Sequence, residues 1–249
     1  MLERLSLRDV GPVDAMELEF APRLNVVTGD NGLGKSFLLD VSWWALTGAW
    51  SSNPALPRRR KGATPMIEVG FDGWQAGFEF QFRSQRWEPS AGDDVELFPP
   101  EPGLVIYARV DGGVCVFDPA RNPRSRWSST PSEPPYLFSQ QAIWDGLPID
   151  SPKKRCNGLI ADWANWQREK GEAFRQFIRT LDGLAPSPEE PLTPGELTRV
   201  SLDDVRDIPT LAMAYGEVPV THASAGMRRI LALAYLLVWT WREHVRACE

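Results

Sequence analysis

Leu24-Asn25-Val26-Val27-Thr28-Gly29-Asp30-Asn31-Gly32-Leu33-Gly34-Lys35-Ser36 is the stretch that decides the fold. Its first five residues are a short, nearly continuous apolar run, which predicts a buried central strand. Its last eight satisfy G-x-x-x-x-G-K-S, and Phe37, Leu38, Val41, Trp44 and Ala45 then recur at helical spacing up to a stop at Gly48. Strand, glycine-rich loop and helix in that order make a P-loop. The glycines at 29, 32 and 34 let successive N–H groups turn into one concavity, a nest for phosphate oxygens, and the helix start adds its dipole. The expected phosphate contacts are Gly29, Asn31, Gly32, Gly34, Lys35, Ser36 and Phe37. Lys35 supplies a point charge, and the Ser36 hydroxyl is the candidate Mg2+ ligand.

Working outward, Leu5 to Val10 and Met16 to Phe20 alternate about a Gly11-Pro12 turn, which predicts antiparallel strands with one solvated face. Residues 1–50 thus read as a β-β-β-α unit. Beyond a basic, proline-containing loop (Arg58-Arg59-Arg60-Lys61), strand-like runs cover Met66 to Phe71, Gln75 to Phe82, Leu104 to Val110 and Val114 to Phe117. Asp111-Gly112-Gly113 between the last two is a hairpin signal. The segment 138–183 reads as helical, and Ser224 to Ala247 as one long, mostly buried helix. The fold class expected is α/β, a single domain over 1–249. Within it, 1–50 starts the core, 51–137 is a β-rich subdomain, 138–215 a helical insertion and 216–249 the closing helix with its lead-in.

The totals narrow the function classes. A chain of 249 residues is long enough for a real core. The net charge of −6 does not resemble a basic nucleic-acid binder. Arg58 to Lys61 reads either as a phosphate contact or as a solvated loop. Cys115, Cys156 and Cys248 are too dispersed for a metal pattern or a disulfide framework. The longest apolar run, Ile230 to Trp241, falls well short of the ~20 residues that cross a bilayer, and the first residues lack the apolar core of a signal peptide. The expectation is a cytoplasmic protein without membrane contact. The 11 tryptophans, Trp43, Trp44, Trp163, Trp166, Trp239 and Trp241 among them, read first as packing residues.

A second constellation, Ala223-Ser224-Ala225-Gly226-Met227-Arg228-Arg229, opens the last helix. Ser224 is a good N-cap, and the small residues after it leave the helix start open. By itself this is either a second anion site or a well-capped buried helix. With the Asp30-Asn31-Gly32 form of the P-loop and the short strands before it, the chain resembles the ABC-type ATPases, the class of SMC, RecF-like and OLD-family proteins. Within that class it is similar to bacterial AAA-type ATP-binding proteins of phage-defence systems. The resemblance implies ATP and Mg2+ as cofactors and a P-loop core with an antiparallel β subdomain and a helical insertion. It also implies a signature segment, Ser224, Gly226, Met227 and Arg228 or Arg229, that completes the site of a second subunit in a head-to-tail homodimer. Gln140 and Gln141 are candidates for the glutamine that such sites place near Mg2+. They read equally as exposed residues at a helix start.

The same resemblance calls for a Walker B strand ending in Asp-Glu after the signature helix, and no Asp-Glu follows an apolar strand here. Leu104 to Asp111 runs on into Gly112, and Leu159-Ile160-Ala161-Asp162 runs on into Trp163, so neither fits. No catalytic residue is identifiable, and the C-terminal part of the core is expected to be missing, leaving the central strand edge uncovered. Three readings follow: an ATPase switch whose nucleotide-driven dimerisation controls an effector, a non-catalytic nucleotide-binding module awaiting a partner chain, and a DNA-maintenance ATPase of SMC or RecF type. Against the third stand the acidic balance and the lack of heptad arms. Nucleic acid is a partner class the composition does not support.

Overall fold

In the computed structural model, residues 1–59, 62–90, 102–122, 134–150 and 153–249 are described. They fall into two compact units: Met1–Tyr107 with Phe117–Tyr136, and Ala108–Val116 with Leu137–Glu249.

The first unit is built on a five-stranded antiparallel sheet. Its strands are β1 (Leu2–Val10), β2 (Val13–Glu19), β3 (Met66–Phe71), β4 (Trp74–Gln81) and β5 (Arg86–Pro89), in the order β2-β1-β3-β4-β5. Alternation puts Leu5, Leu7, Ile67, Val69, Ala76, Phe78 and Phe80 on a buried face. Helix α1 (Lys35–Thr47) lays Leu38, Val41, Trp44 and Ala45 into the same core, and Gly48 caps it in a left-handed conformation. Trp44 is central: it stacks on Trp50 at 4.9 Å and meets Phe78 edge-on at 5.0 Å.

The segment expected as the buried central strand departs from that reading. Among the described residues Leu24–Thr28 carries no strand pairing, and Leu24 and Val26 are 75% and 73% exposed. An apolar run is buried only when a neighbour covers it, and no described strand lies beside this one. Asn25 instead braces the run locally, its side chain bonding to both N and O of Ala21. The β-β-β-α unit is therefore β1, β2, a run without regular structure and α1.

Strands β6 (Val105–Ala108), β7 (Val114–Phe117) and β8 (Tyr136–Phe138) form a three-stranded sheet in the order β6-β7-β8. The Asp111-Gly112-Gly113 turn forms as expected, with Arg109 N–H donating to the Gly113 carbonyl.

The second unit is helical around α2 (Gln140–Asp145), α3 (Leu159–Glu169), α4 (Glu172–Leu184) and α5 (Ala225–Cys248). Two hairpins interrupt the segment read as purely helical and the stretch after it: β9 (Leu147–Asp150) with β10 (Lys153–Cys156), and β11 (Thr210–Met213) with β12 (Gly216–Pro219). At four residues each, and with Pro148, Lys153-Lys154-Arg155 and Pro219 among them, these strands are too short and irregular to show a period-2 signal. The core is aromatic: Trp163 and Trp166 both meet Phe177, at 4.8 and 5.9 Å, and Phe138 meets Trp239 at 5.4 Å. Trp241 is the exception among the tryptophans read as packing residues, at 52% exposure. No helix among the described residues is long and apolar enough to cross a membrane.

Truncating Trp44 leaves a cavity against Trp50 and Phe78. Trp44→Ala is expected to lower the unfolding free energy by about 3–5 kcal/mol in urea melts. An unchanged midpoint contradicts its central place in this core.

Candidate nucleotide-binding site

The loop Gly29–Gly34 lies at the exposed start of α1. Gly34 occupies the N-cap position at φ 87°, a left-handed conformation, and no side chain caps the helix. The first-turn N–H groups of Lys35, Ser36 and Phe37 are thus left for a ligand, at the positive end of the helix dipole. Gly34 is fixed by sterics as well as by φ, since a Cβ there would stand 2.7 Å from Pro12 Cγ. One turn away, a Cβ on Gly11 would overlap the Phe37 ring. The β1–β2 turn is therefore seated directly against the loop and the first turn of α1. Phe37, expected as a phosphate contact, spends its side chain on this packing and keeps only its backbone N–H for ligand.

Lys35 Nζ donates to the Gly29 and Asp30 carbonyls, both at 2.7 Å. An ammonium has three donors, so one remains to aim at an anion held in the loop. Gly32 has positive φ, and nothing lies within 4 Å of where its Cβ would be, so the concavity stays open on that side. These features fit a nucleotide polyphosphate: backbone donors, a lysine already positioned, and the Ser36 hydroxyl to hold a Mg2+ ion bound with it. No group of three or more His, Cys, Asp or Glu suited to a metal occurs among the described residues; at this loop Ser36 would be the residue to hold such an ion, which would supply charge neutralisation for the phosphates.

The remaining candidates lie elsewhere. Ser224 caps α5, its hydroxyl accepting from Met227 N–H at 3.3 Å, and Gly226 is exposed. The arginines are partly committed. Arg229 donates to the Val110 carbonyl at 2.6 Å, while Arg228 lines a cavity of about 330 Å3 with Val110, Trp144, Ile230 and Leu233. Gln140 and Gln141 are exposed in the first turn of α2, with Ser139 as its cap, and Gln140 borders the same cavity. The P-loop belongs to the first unit, and Gln140, Gln141 and Ser224–Arg229 to the second. Asp111 serves its hairpin, accepting from Gly113 N–H at 2.9 Å and pairing with Arg109. Asp162 is helical and buried. Neither ends a strand. Of the basic run, Arg58 pairs with Asp14, Arg59 is exposed, and Arg60 and Lys61 lie outside the described residues.

Sequence reading missed one buried polar network in the second unit. Tyr235 of α5 donates its hydroxyl to Asp162 Oδ2 at 2.8 Å, and Asn157 donates to Oδ1 at 2.9 Å. The Cys156 thiol lies 3.2 Å from the Tyr235 oxygen. The tyrosine's one proton goes to the carboxylate, so the thiol donates, and β10, α3 and α5 are joined in one chain of bonds. Burial raises the Asp162 pKa above its usual 3.8, against the lowering effect of the bonds from Asn157 and Tyr235. Burial likewise raises Cys156 and Tyr235, so the thiol stays protonated and unreactive.

A raised carboxylate pKa means the folded state binds the proton more tightly than the unfolded chain. This contribution is fully favourable below the unfolded value and is lost as pH rises through the folded one. The stability of wild type relative to Asp162→Asn is expected to increase as pH falls toward the unfolded value. A difference that stays flat with pH contradicts the assignment. Tyr235→Phe is expected to cost about 1–3 kcal/mol, from loss of a buried donor to a carboxylate.

Residues 4–92 match the family model of the AAA domain. Over a local stretch of 62 residues the chain is 45% identical to the DNA replication and repair protein RecF of Magnetococcus marinus. That stretch is 24% of this chain and 16% of the relative's length.

Proposed function

From an amino-terminal AAA ATPase domain of the SMC/RecF-like kind, we propose an ABC-type switch: ATP enters the Gly29–Phe37 cradle, and a second subunit's signature segment closes over it. The observation that carries the nucleotide reading is the uncapped start of α1 behind a left-handed Gly34, with Lys35 already drawn to the loop. In this reading Ser224 and Gly226, at the open start of α5, present a hydroxyl and backbone N–H groups to the γ-phosphate of a partner in a head-to-tail dimer. Closing and opening of that dimer would drive an effector, in a phage-defence system as the family resemblance implies. Mg2+ supplies charge neutralisation at the phosphates, and Ser36 is the residue of this chain placed to hold it.

A specific observation favours a second element, that the hydrolytic site is shared with another polypeptide segment. Among the described residues no strand ends in Asp-Glu, and the run Leu24–Thr28 leading into the P-loop is apolar, exposed and without strand pairing. An unpaired apolar edge of this kind is a template for strand addition. A segment pairing there would bring its own carboxylates beside the cradle. The DNA-maintenance reading rests on a RecF relative matched over a short stretch, and the acidic balance of this chain lends it no weight.

The purified chain is therefore expected to bind ATP with Mg2+ and to turn it over no faster than its Lys35→Ala variant. That variant is expected to bind about tenfold to a hundredfold more weakly, as loss of a charge-assisted contact implies. Calorimetry and phosphate release measure the two quantities. Lys35-dependent turnover by this chain alone contradicts the shared site, and Lys35-independent binding contradicts the cradle.

A further inference from the structure

Asp9 stands near the end of β1, where the strand period gives it the core face of Leu5 and Leu7. A carboxylate thus occupies a core position, and it is only 4% exposed. Its backbone is unusual as well. The φ of 53° lies in the left-handed region, which residues other than glycine enter at a cost.

What the residue joins accounts for both features. At Arg8, β1 still pairs with Met66 of β3, but Val10 is bridged to Pro57 instead. Asp9 sits at that change of partner and bonds to the chain beyond it. Its carbonyl accepts from Arg58 N–H at 2.8 Å, and its Oδ2 accepts from Thr64 N–H at 3.1 Å. Two residues on, Gly11 N–H donates to the Leu56 carbonyl at 3.1 Å. Residues 56–58 are therefore laced to the base of the β1–β2 turn. The stretch is itself anchored, since Trp87 Nε1–H donates to the Ala55 carbonyl at 2.9 Å. The exposed Arg58–Asp14 ion pair lies over it but adds little in water. The turn so held is the one that brings Pro12 against Gly34 and Gly11 against the Phe37 ring.

We propose that Asp9 is a positioning residue for the phosphate cradle. On the nucleotide reading of the preceding section, it fixes the Gly11-Pro12 turn, and through that turn Gly34 and the first turn of α1, without touching nucleotide. The residue type follows from two demands. Aspartate is among the few side chains compatible with left-handed backbone, and its short acceptor reaches backbone N–H groups nearby. Glycine meets only the first demand, and alanine meets neither. The strain persists because bonds to two other points of the chain hold the residue in place.

Variants of the full chain separate this role from a merely structural one. Asp9→Asn keeps an oxygen acceptor and the tolerance for left-handed backbone, and is expected to bind Mg-ATP within about twofold of wild type. Asp9→Gly keeps the backbone but removes the acceptor, and is expected to bind about fivefold more weakly, as lost preorganisation implies. In a Phe37→Ala background the turn has lost its seat on the ring, and the same change is expected to cost less than about twofold. Hydrogen exchange without nucleotide gives a reading independent of ATP. Leu38 N–H, which closes the first turn of α1 onto the Gly34 carbonyl at 3.0 Å, is expected to exchange faster in Asp9→Gly, with α5 unchanged. Wild-type affinity in Asp9→Gly, or an equal loss in both backgrounds, overturns the proposal. So does faster exchange that extends through α5. Wild type without Lys35-dependent binding defeats the nucleotide reading, whereas unchanged Leu38 exchange in Asp9→Gly defeats the role of Asp9 whatever ATP does.

Discussion

The close approach of the β1–β2 turn to the P-loop is the constraint on which the rest of the first unit's chemistry depends. Pro12 sits where a side chain on residue 34 would be, and the Phe37 ring sits where one on residue 11 would be. Two glycines therefore hold the loop in a left-handed turn against the sheet that α1 also packs on. An exposed loop with this many donors would otherwise sample many conformations. Here packing against Pro12 and Phe37 holds Gly34 and the uncapped start of α1 in place before any ligand arrives.

Preorganisation of that kind lowers the ordering cost of binding. Lys35, already held by two carbonyls of its own loop, belongs to the same arrangement. The second unit organises its helix start differently. Ser224 caps α5 locally, while the axis of the helix is held a few turns away by the Tyr235 bond to the buried Asp162. The cap fixes where the helix begins, and the network fixes how the helix lies against α3. Any contact that Ser224 and Gly226 make with a phosphate inherits both constraints.

The parts of the site legible in the sequence were those with local signals. Gly29 to Ser36 encode a loop by spacing alone, Gly48 a helix stop, Ser224 a cap, and Asp111-Gly112-Gly113 a turn; each forms in the structure. What misled was burial. Leu24, Val26 and Val27 read as buried because apolar runs usually are, but burial depends on a covering neighbour that no local pattern announces. The hairpin Leu147–Cys156 went unread because Pro148 and the Lys153-Lys154-Arg155 run break the alternation expected of strands. The Asp162–Tyr235 bond spans much of the second unit in sequence, and nothing near either residue hints at the other.

The central claim is that the uncapped amides at the start of α1 are the phosphate site. Hydrogen–deuterium exchange with and without Mg-ATP tests it most directly, because it reads those amides whether or not any turnover occurs. The account predicts slowed exchange concentrated in peptides covering Gly29 to Leu38, and none of that slowing in Lys35→Ala. Unchanged exchange over that segment under saturating ATP, with protection elsewhere, would contradict it.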